Sequence, residues 1–286
     1  MNEIHLVSVI GGGLMGSGIA EVMARNGLEV NLIEVNEDQA SKARDRVANS
    51  LRRAEERGKI ASDQVAEVMS RISASAGLNS IAKSDLVIEA ASEDEVIKLE
   101  LFTKIGQIVE KPDAILASNT SSIPIVKLGA VSGRPDRVMG VHFFNPAPVM
   151  KLVELIPSLT TSAETKKRMH DFVEQKLGKS PIDATDRAGF VVNSLLVPYL
   201  LSGIRMFEAG YASAEDIDQG MVLGCGHPMG PLALCDLIGL DTVRAIGIKM
   251  YEEFKEPLYS PPPLLDRMVD AGLLGKKTGH GFYSYS

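Results

Sequence analysis

The chain has 286 residues, 45% apolar and 23% charged, the composition of a globular protein with one large or two modest domains. Thirty basic against 37 acidic residues leave a net charge of −7, which argues against a general binder of nucleic acid or of anionic membrane. The longest uncharged apolar-rich stretch, Ala188 to Ile204, is shorter than the ~20 residues of a membrane span and contains Asn193, Ser194, Pro198 and Ser202, so it reads as a buried helix.

Met1 runs almost directly into the apolar stretch Val7 to Ile10, with no room for a secretory leader, and a cytoplasmic location is expected. That stretch reads as a buried strand. It leads into Gly11-Gly12-Gly13-Leu14-Met15-Gly16, a G-x-G-x-x-G match, and then into a helical pattern from Leu14 to Asn26. Gly11 suits the tight strand-to-helix turn, Gly13 the close approach of backbone to a pyrophosphate, and Gly16 the packing of helix on strand. The N–H groups at the helix start would face the phosphate charge. Glu29 to Val35 reads as a second strand, carrying Glu34 23 residues after Gly11, near the ~20 expected of a ribose-binding acid. A carboxylate there accepts hydrogen bonds from ribose hydroxyls and repels a 2′-phosphate, so NAD is expected over NADP.

Glu37 to Lys59 reads as a long polar helix. At 100° per residue, Lys42, Arg46, Arg53 and Arg57 fall in a stripe about 60° wide, with Ser50 beside it. Such a stripe suits a substrate phosphate as well as it suits a solvated face. Further strands are read at Asp85 to Ala90, Ala114 to Ser118, Val138 to Phe144 and Leu152 to Ile156, with helices at Val96 to Val109 and Ser162 to Leu177. This alternation implies a Rossmann-like, doubly wound, mostly parallel sheet over residues 1–185.

Beyond Asp186 the patterns turn helical: Phe190 to Ala209, Ala214 to Leu223, Pro231 to Ile238, Leu240 to Phe254 and Leu264 to Ala271. The only strand-like run left is Gly281 to Tyr283. Residues 186–286 are therefore expected to form an all-helical C-terminal domain. Cys225 and Cys235 lack any metal-ligand spacing and read as ordinary reduced cysteines, and no metal is expected.

Two residues stand out chemically. His142 ends a strand on the carboxyl edge of the sheet, where open α/β sheets bind ligands, and imidazole is the side chain best suited to exchange a proton near neutral pH. Glu154 shares a strand face with Leu152 and Ile156, and a buried carboxylate needs a partner, which His142 can be. The competing reading is a surface acid on an edge strand. Ser121 and Asn193 are polar residues in apolar surroundings that serve either as local hydrogen bonders or as substrate contacts.

The blocks IGGGLMGSGIA, ASNTSSI, HFFNPAPVMKLVELI, DRAGFVVNSLLVPYL, HPMGPLALCDLIGLD and GKKTGHGFYSY resemble the L-3-hydroxyacyl-CoA dehydrogenase family, in its single-function bacterial 3-hydroxybutyryl-CoA dehydrogenase form, over essentially the whole chain. The resemblance implies NAD-dependent interconversion of a (S)-3-hydroxyacyl-CoA and its 3-oxoacyl-CoA. His142 matches the catalytic histidine and Glu154 its acid partner. Ser121 and Asn193 match residues that contact substrate and nicotinamide. Glu34 matches the ribose-binding acid, and Glu93, Lys98, Asn119, Asn145 and Lys277 match positions near the cofactor. Ser50 matches a coenzyme A contact, and Arg57 stands where relatives carry lysine, keeping the charge while changing its geometry. An acyl-CoA substrate, a homodimer formed through the helical domain and a substrate cleft between the domains are also implied. The competing functions are a dehydrogenase of a CoA-free hydroxy acid or sugar acid and, in a different class, a non-catalytic NAD-binding sensor. The basic stripe favours a CoA thioester.

Overall fold

The computed structural model describes residues 3–285, and the chain divides into two compact units, one ending at Asp186 and the other beginning at Arg187. In the first, β1 (Leu6–Ile10) and β2 (Glu29–Glu34) flank α1 (Leu14–Arg25), and α2 (Glu37–Glu56) follows. α2 starts where sequence chemistry dictates: Asn36 Oδ1 accepts the Gln39 N–H at 2.9 Å, a cap contributing about 1 kcal/mol. Next come α3 (Ser62–Ser70), β3 (Ile72–Ala76), β4 (Leu86–Glu89), α4 (Glu95–Ile108), β5 (Ile115–Ser118) and α5 (Ile125–Ser132). The unit closes with β6 (Val138–Phe143), β7 (Leu152–Pro157), α6 (Ala163–Asp171) and β8 (Ser180–Asp183).

The eight strands form one sheet in the order β3-β2-β1-β4-β5-β6-β7-β8. The order reverses between β1 and β4, the switch point at which doubly wound sheets leave a crevice beyond their strand ends. Every pairing is parallel except β6 with β7. Their connection, residues 144–151, is too short for the helical crossover that a parallel pair requires. Val7, Val9, Leu32, Ile88, Ile115 and Val141 are buried in the core of this unit, as strands covered on both faces require.

Several elements differ from the sequence reading. α3, β3, α5 and β8 are additional to it. The helix expected over Ser162 to Leu177 is α6 followed by a π-helical turn at Phe172–Lys176.

The second unit contains α7 (Val192–Glu208), α8 (Ala214–Cys225), α9 (Pro231–Ile238), α10 (Leu240–Phe254) and α11 (Pro263–Asp270) around a core that includes Leu200, Leu201, Ile204, Leu232 and Val243. Gly281 to Tyr283 forms no strand; among the described residues the tail makes isolated bridges, Gly275 with His280 and His280 with Ser284. Two buried aspartates fasten it. Asp236 accepts the Phe282 and Tyr283 N–H groups at 2.9 Å each and the Tyr285 hydroxyl at 3.0 Å, while Asp218 accepts the Tyr283 hydroxyl at 2.8 Å. Burial and the Asp236 hydrogen bond push the Tyr285 hydroxyl up to about 12. Among the described residues, no helix is long and apolar enough to cross a membrane.

Candidate active site

The glycine turn between β1 and α1 has the geometry its spacing implies. Gly11 has φ +93°, and a Cβ there would meet the Ala90 carbonyl oxygen at 2.7 Å. A Cβ on Gly16 would lie 1.7 Å from the Gly11 oxygen, so that glycine is what lets α1 sit against the turn. Gly12 is buried against α2, where an added Cβ would come within 2.2 Å of the Ala43 Cβ. At Gly13, by contrast, an added Cβ would meet nothing within 4 Å: the backbone faces open space. No side chain caps α1, so its first N–H groups are presented by Leu14 and Met15 beside a cavity of about 710 Å³. Glu34 stands in the wall of that cavity. Its Oε1 accepts the Gly12 N–H at 2.7 Å and its Oε2 the Val35 N–H at 3.2 Å. An uncapped helix start, open backbone and a carboxylate at the next strand end fit a dinucleotide's pyrophosphate and ribose.

Opposite, the ends of β4 and β5 carry a charged network. Glu89 and Lys98 are almost wholly enclosed, with side chains 0% and 1% exposed, and pair at 2.6 Å. The Glu89 Oε1 also accepts the Ala91 N–H at 2.7 Å, and its Oε2 accepts the Ser118 hydroxyl at 2.6 Å. Lys98 Nζ lies 3.4 Å from Glu93 Oε2. Glu93 Oε1 in turn accepts the Ser121 N–H at 3.0 Å, the Ser122 N–H at 3.2 Å, the Ser122 hydroxyl at 3.0 Å and the Thr120 hydroxyl. Burial opposes ionisation of Glu93, but Lys98 and these donors outweigh it and hold the carboxyl below its ordinary value. Residues 120–122 are thus tied to Glu93 in the turn that follows β5, with Ser121 half-buried on it. Asn119 is occupied differently: its Oδ1 accepts the Phe143 N–H at 2.9 Å, joining the end of β5 to the end of β6. Glu89 is absent from the sequence reading, although an acid closing the otherwise apolar run Leu86 to Glu89 was a signal.

His142 and Glu154 face one another directly across the antiparallel β6–β7 ladder. Nδ1 of His142 and Oε2 of Glu154 are 2.7 Å apart, with His142 8% and Glu154 0% exposed. β7 lies between β6 and β8, so Glu154 is not on an edge strand. The Phe144 ring packs edge-on against the imidazole with centroids 4.7 Å apart. With Nδ1 facing the carboxylate, proton exchange with a reactant falls to Nε2, and a carboxylate at this position stabilises an imidazolium.

The basic stripe of α2 divides on inspection. Lys42 pairs with Asp38 at 2.6 Å, and Arg46 donates to the Gly12 oxygen at 2.8 Å. Arg46, Ser50 and Arg53 line a second cavity of about 470 Å³ that is also lined by Asn145 to Pro148, whose Asn145–Pro146 bond is cis. Arg57 caps the C-terminal end of α2, exposed, and is not in that lining. Arg53, read only as part of the stripe, is therefore the better-placed cation. In the second unit, Asn193 is half-buried in the first turn of α7, and Lys277 Nζ binds both oxygens of Asp241, at 2.5 and 2.6 Å. Among the described residues, no group of three or more His, Cys, Asp or Glu side chains could hold a metal ion.

A family model described as the NAD binding domain of 3-hydroxyacyl-CoA dehydrogenase matches residues 6–187, and one for the C-terminal domain of the same enzyme matches residues 189–285. The chain is 52% identical over 284 residues to a 3-hydroxybutyryl-CoA dehydrogenase of Mycobacterium tuberculosis, covering 99% of each. It is 44% identical to the mitochondrial hydroxyacyl-coenzyme A dehydrogenase of Homo sapiens, covering 98% of this chain and 90% of the human one. Among solved structures, (S)-3-hydroxybutyryl-CoA dehydrogenase from Ralstonia eutropha superposes with a TM-score of 0.94 at 44% identity, covering 99% of this chain and 100% of that one. The chain belongs to the 3-hydroxyacyl-CoA dehydrogenase family.

Proposed function

We propose that the chain oxidises (S)-3-hydroxybutyryl-CoA to acetoacetyl-CoA with NAD, and catalyses the reverse reduction, using His142 as general base and acid. The observation that carries this reading is the 2.7 Å contact between His142 Nδ1 and the enclosed carboxylate of Glu154. In the oxidative direction neutral His142 accepts the 3-hydroxyl proton at Nε2 while the C3 hydrogen departs with its electron pair. The nicotinamide ring, when bound, supplies the hydride acceptor. Glu154 holds the imidazole in the tautomer that leaves Nε2 basic and stabilises the imidazolium as it forms. In reduction, the same Nε2 returns its proton to the oxygen that becomes the 3-hydroxyl.

The remaining assignments are of binding. Gly11 to Gly16 and Glu34 hold the dinucleotide, with Glu93, Lys98, Asn119, Asn145 and Lys277 near it. Ser121 and Asn193 hydrogen-bond the substrate oxygens and fix their pose. Ser50 and Arg57 bind the coenzyme A moiety, with Arg53 added on the strength of the cavity it lines. The protein acts in the cytoplasm as a homodimer formed through its helical unit. That assembly is supported by large apolar side chains at the surface of that unit, Leu195 at 74% and Leu223 at 81% exposure.

The test is NADH oxidation with acetoacetyl-CoA against acetoacetate. Turnover confined to the thioester is expected. Equal rates with both refute the CoA assignment, and an activity indifferent to His142→Gln refutes the catalytic one in favour of a cofactor-binding sensor.

A further inference from the structure

We propose that Glu89 is a positioning residue: through Lys98 and Ser118 it sets the turn at residues 119–122 that presents Ser121 to the substrate. The proposal rests on the dehydrogenase reading above and adds to it a residue that touches neither substrate nor cofactor. Glu89 ends β4 with its side chain fully enclosed, and both of its oxygens are committed. Two routes run from it to the same turn. One passes from Oε1 to Lys98 at 2.6 Å, then to Glu93 at 3.4 Å, whose Oε1 takes the N–H groups of Ser121 and Ser122 and the hydroxyls of Thr120 and Ser122. The other passes from Oε2 to the Ser118 hydroxyl at 2.6 Å, whose oxygen accepts the Thr120 N–H at 3.2 Å.

Burying a carboxylate and an ammonium together gains little stability, because the desolvation of both ions offsets their attraction, and an apolar pair of similar volume often does as well. What the charges supply here is direction. Lys98 has three N–H donors and no acceptor, so it can be shared between two carboxylates, one anchored on β4 and one reaching the turn. Glu93 is much less enclosed than its partners, its side chain 40% exposed, and without the Lys98 charge behind it solvent would compete for its oxygens. The Ser121 N–H then loses a fixed acceptor, and the hydroxyl beside it loses its aim. Orientation of this kind acts on rate far more than on stability, since a misplacement of about 1 Å can cost ~10²-fold.

The experiment is the paired variant Glu89→Gln with Lys98→Met. It removes both charges together and leaves the Gln carbonyl to accept the Ala91 N–H. Wild type, the paired variant, Ser121→Ala and the three together are compared for acetoacetyl-CoA reduction, melting temperature and hydrogen exchange. The expected result is a melting temperature within about 3 °C of wild type, kcat/KM lowered at least tenfold, and faster exchange confined to the peptide spanning 119–123. Adding the pair to Ser121→Ala should lower kcat/KM no further than threefold. A folded paired variant with kcat/KM and exchange of that peptide within threefold of wild type overturns the proposal, as does a loss that multiplies fully with that of Ser121→Ala. If the paired variant does not fold, Ser118→Ala severs the second route alone: a threefold or larger loss of kcat/KM that vanishes in a Ser121→Ala background is expected, and no loss overturns the proposal. Wild type that fails to reduce acetoacetyl-CoA would refute the dehydrogenase reading instead, while the exchange comparison still judges the positioning.

Discussion

Replacing Glu154 by Gln removes one negative charge from a position with no solvent access, 2.7 Å from His142 Nδ1, and changes almost nothing in volume. When the imidazolium forms, its delocalised charge sits about 4 Å from the carboxylate. At an effective dielectric of ~20 the attraction at that distance is about 4 kcal/mol, equivalent to about 10³-fold in rate if none of it is recovered elsewhere. A second effect has the same sign. The Gln amide can donate to Nδ1 and so favour the tautomer that carries its proton on Nε2, which is useless as a base. In acid–histidine dyads the acid-to-amide change costs as much as ~10⁴-fold. Glu154→Gln should therefore lower kcat for 3-hydroxybutyryl-CoA oxidation by ~10²–10⁴-fold, while NADH affinity, read by fluorescence titration, stays within threefold because the glycine turn and Glu34 lie elsewhere. A folded variant that keeps more than a third of wild-type kcat would refute the role given to this pair.

Three further outcomes follow from the same structure. Wild type should favour NADH over NADPH by at least 100-fold in kcat/KM, and Glu34→Ala should narrow that ratio at least tenfold; an unchanged ratio would remove Glu34 from cofactor selection. Arg53→Ala should raise the KM for acetoacetyl-CoA several-fold at unchanged kcat, with an effect that shrinks as salt is added, whereas an equal KM in both proteins would show that the cavity it lines is not used by the thioester. Burial raises the Asp85 pKa, but the hydrogen bond from Lys111 and the N–H groups of Leu6 and His5 outweigh it and hold the carboxyl below its ordinary 3.8. A folded-state pKa that is depressed contributes stability fully above the unfolded value and loses it as the pH falls through the folded one. Asp85→Asn should therefore lower the melting temperature at pH 7, and its deficit relative to wild type should shrink below about pH 4; a deficit constant from pH 7 to pH 3 would contradict the assignment.

Strong local periodicity makes β1, α1, β2 and the helices of the second unit legible from residues alone. The elements that escape are those whose residues carry weak patterns because they lie at the sheet's edges or are short. β3, ISASA, buries only its first residue fully, and β8, SPID, carries a proline tolerable only because it is an edge strand. α5 is short, with Lys127 its one charge and Gly129 and Ser132 on the buried face that also holds Ile125 and Leu128, so that face does not stand out in the sequence. The site divides the same way. His142 and Glu154 are found because an ionisable residue in an apolar strand is conspicuous. Glu89 is equally conspicuous in principle, but its partners Lys98, Ser118 and Ala91 lie on three different segments, and only the folded chain brings them together. The commitment of Lys42 to Asp38 and of Arg46 to the Gly12 carbonyl is likewise invisible to helical geometry, which sorts charges by angle and says nothing about what each one meets.

The antiparallel pairing of β6 with β7 has a consequence for how such an enzyme can change. His142 and Glu154 are held by the ladder itself, in the one register that sets them opposite each other, and the strands on either side brace both. The segments proposed to meet cofactor and substrate — the glycine turn, residues 119–122 and Asn145 to Pro148 — are loops attached to that frame. Mutations can reshape those loops without disturbing the 2.7 Å contact between His142 and Glu154. With the roles proposed above, the proton-transfer pair and the recognition surface are separable under selection, so that a different acyl preference would arise in the loops while the chemistry stays as it is.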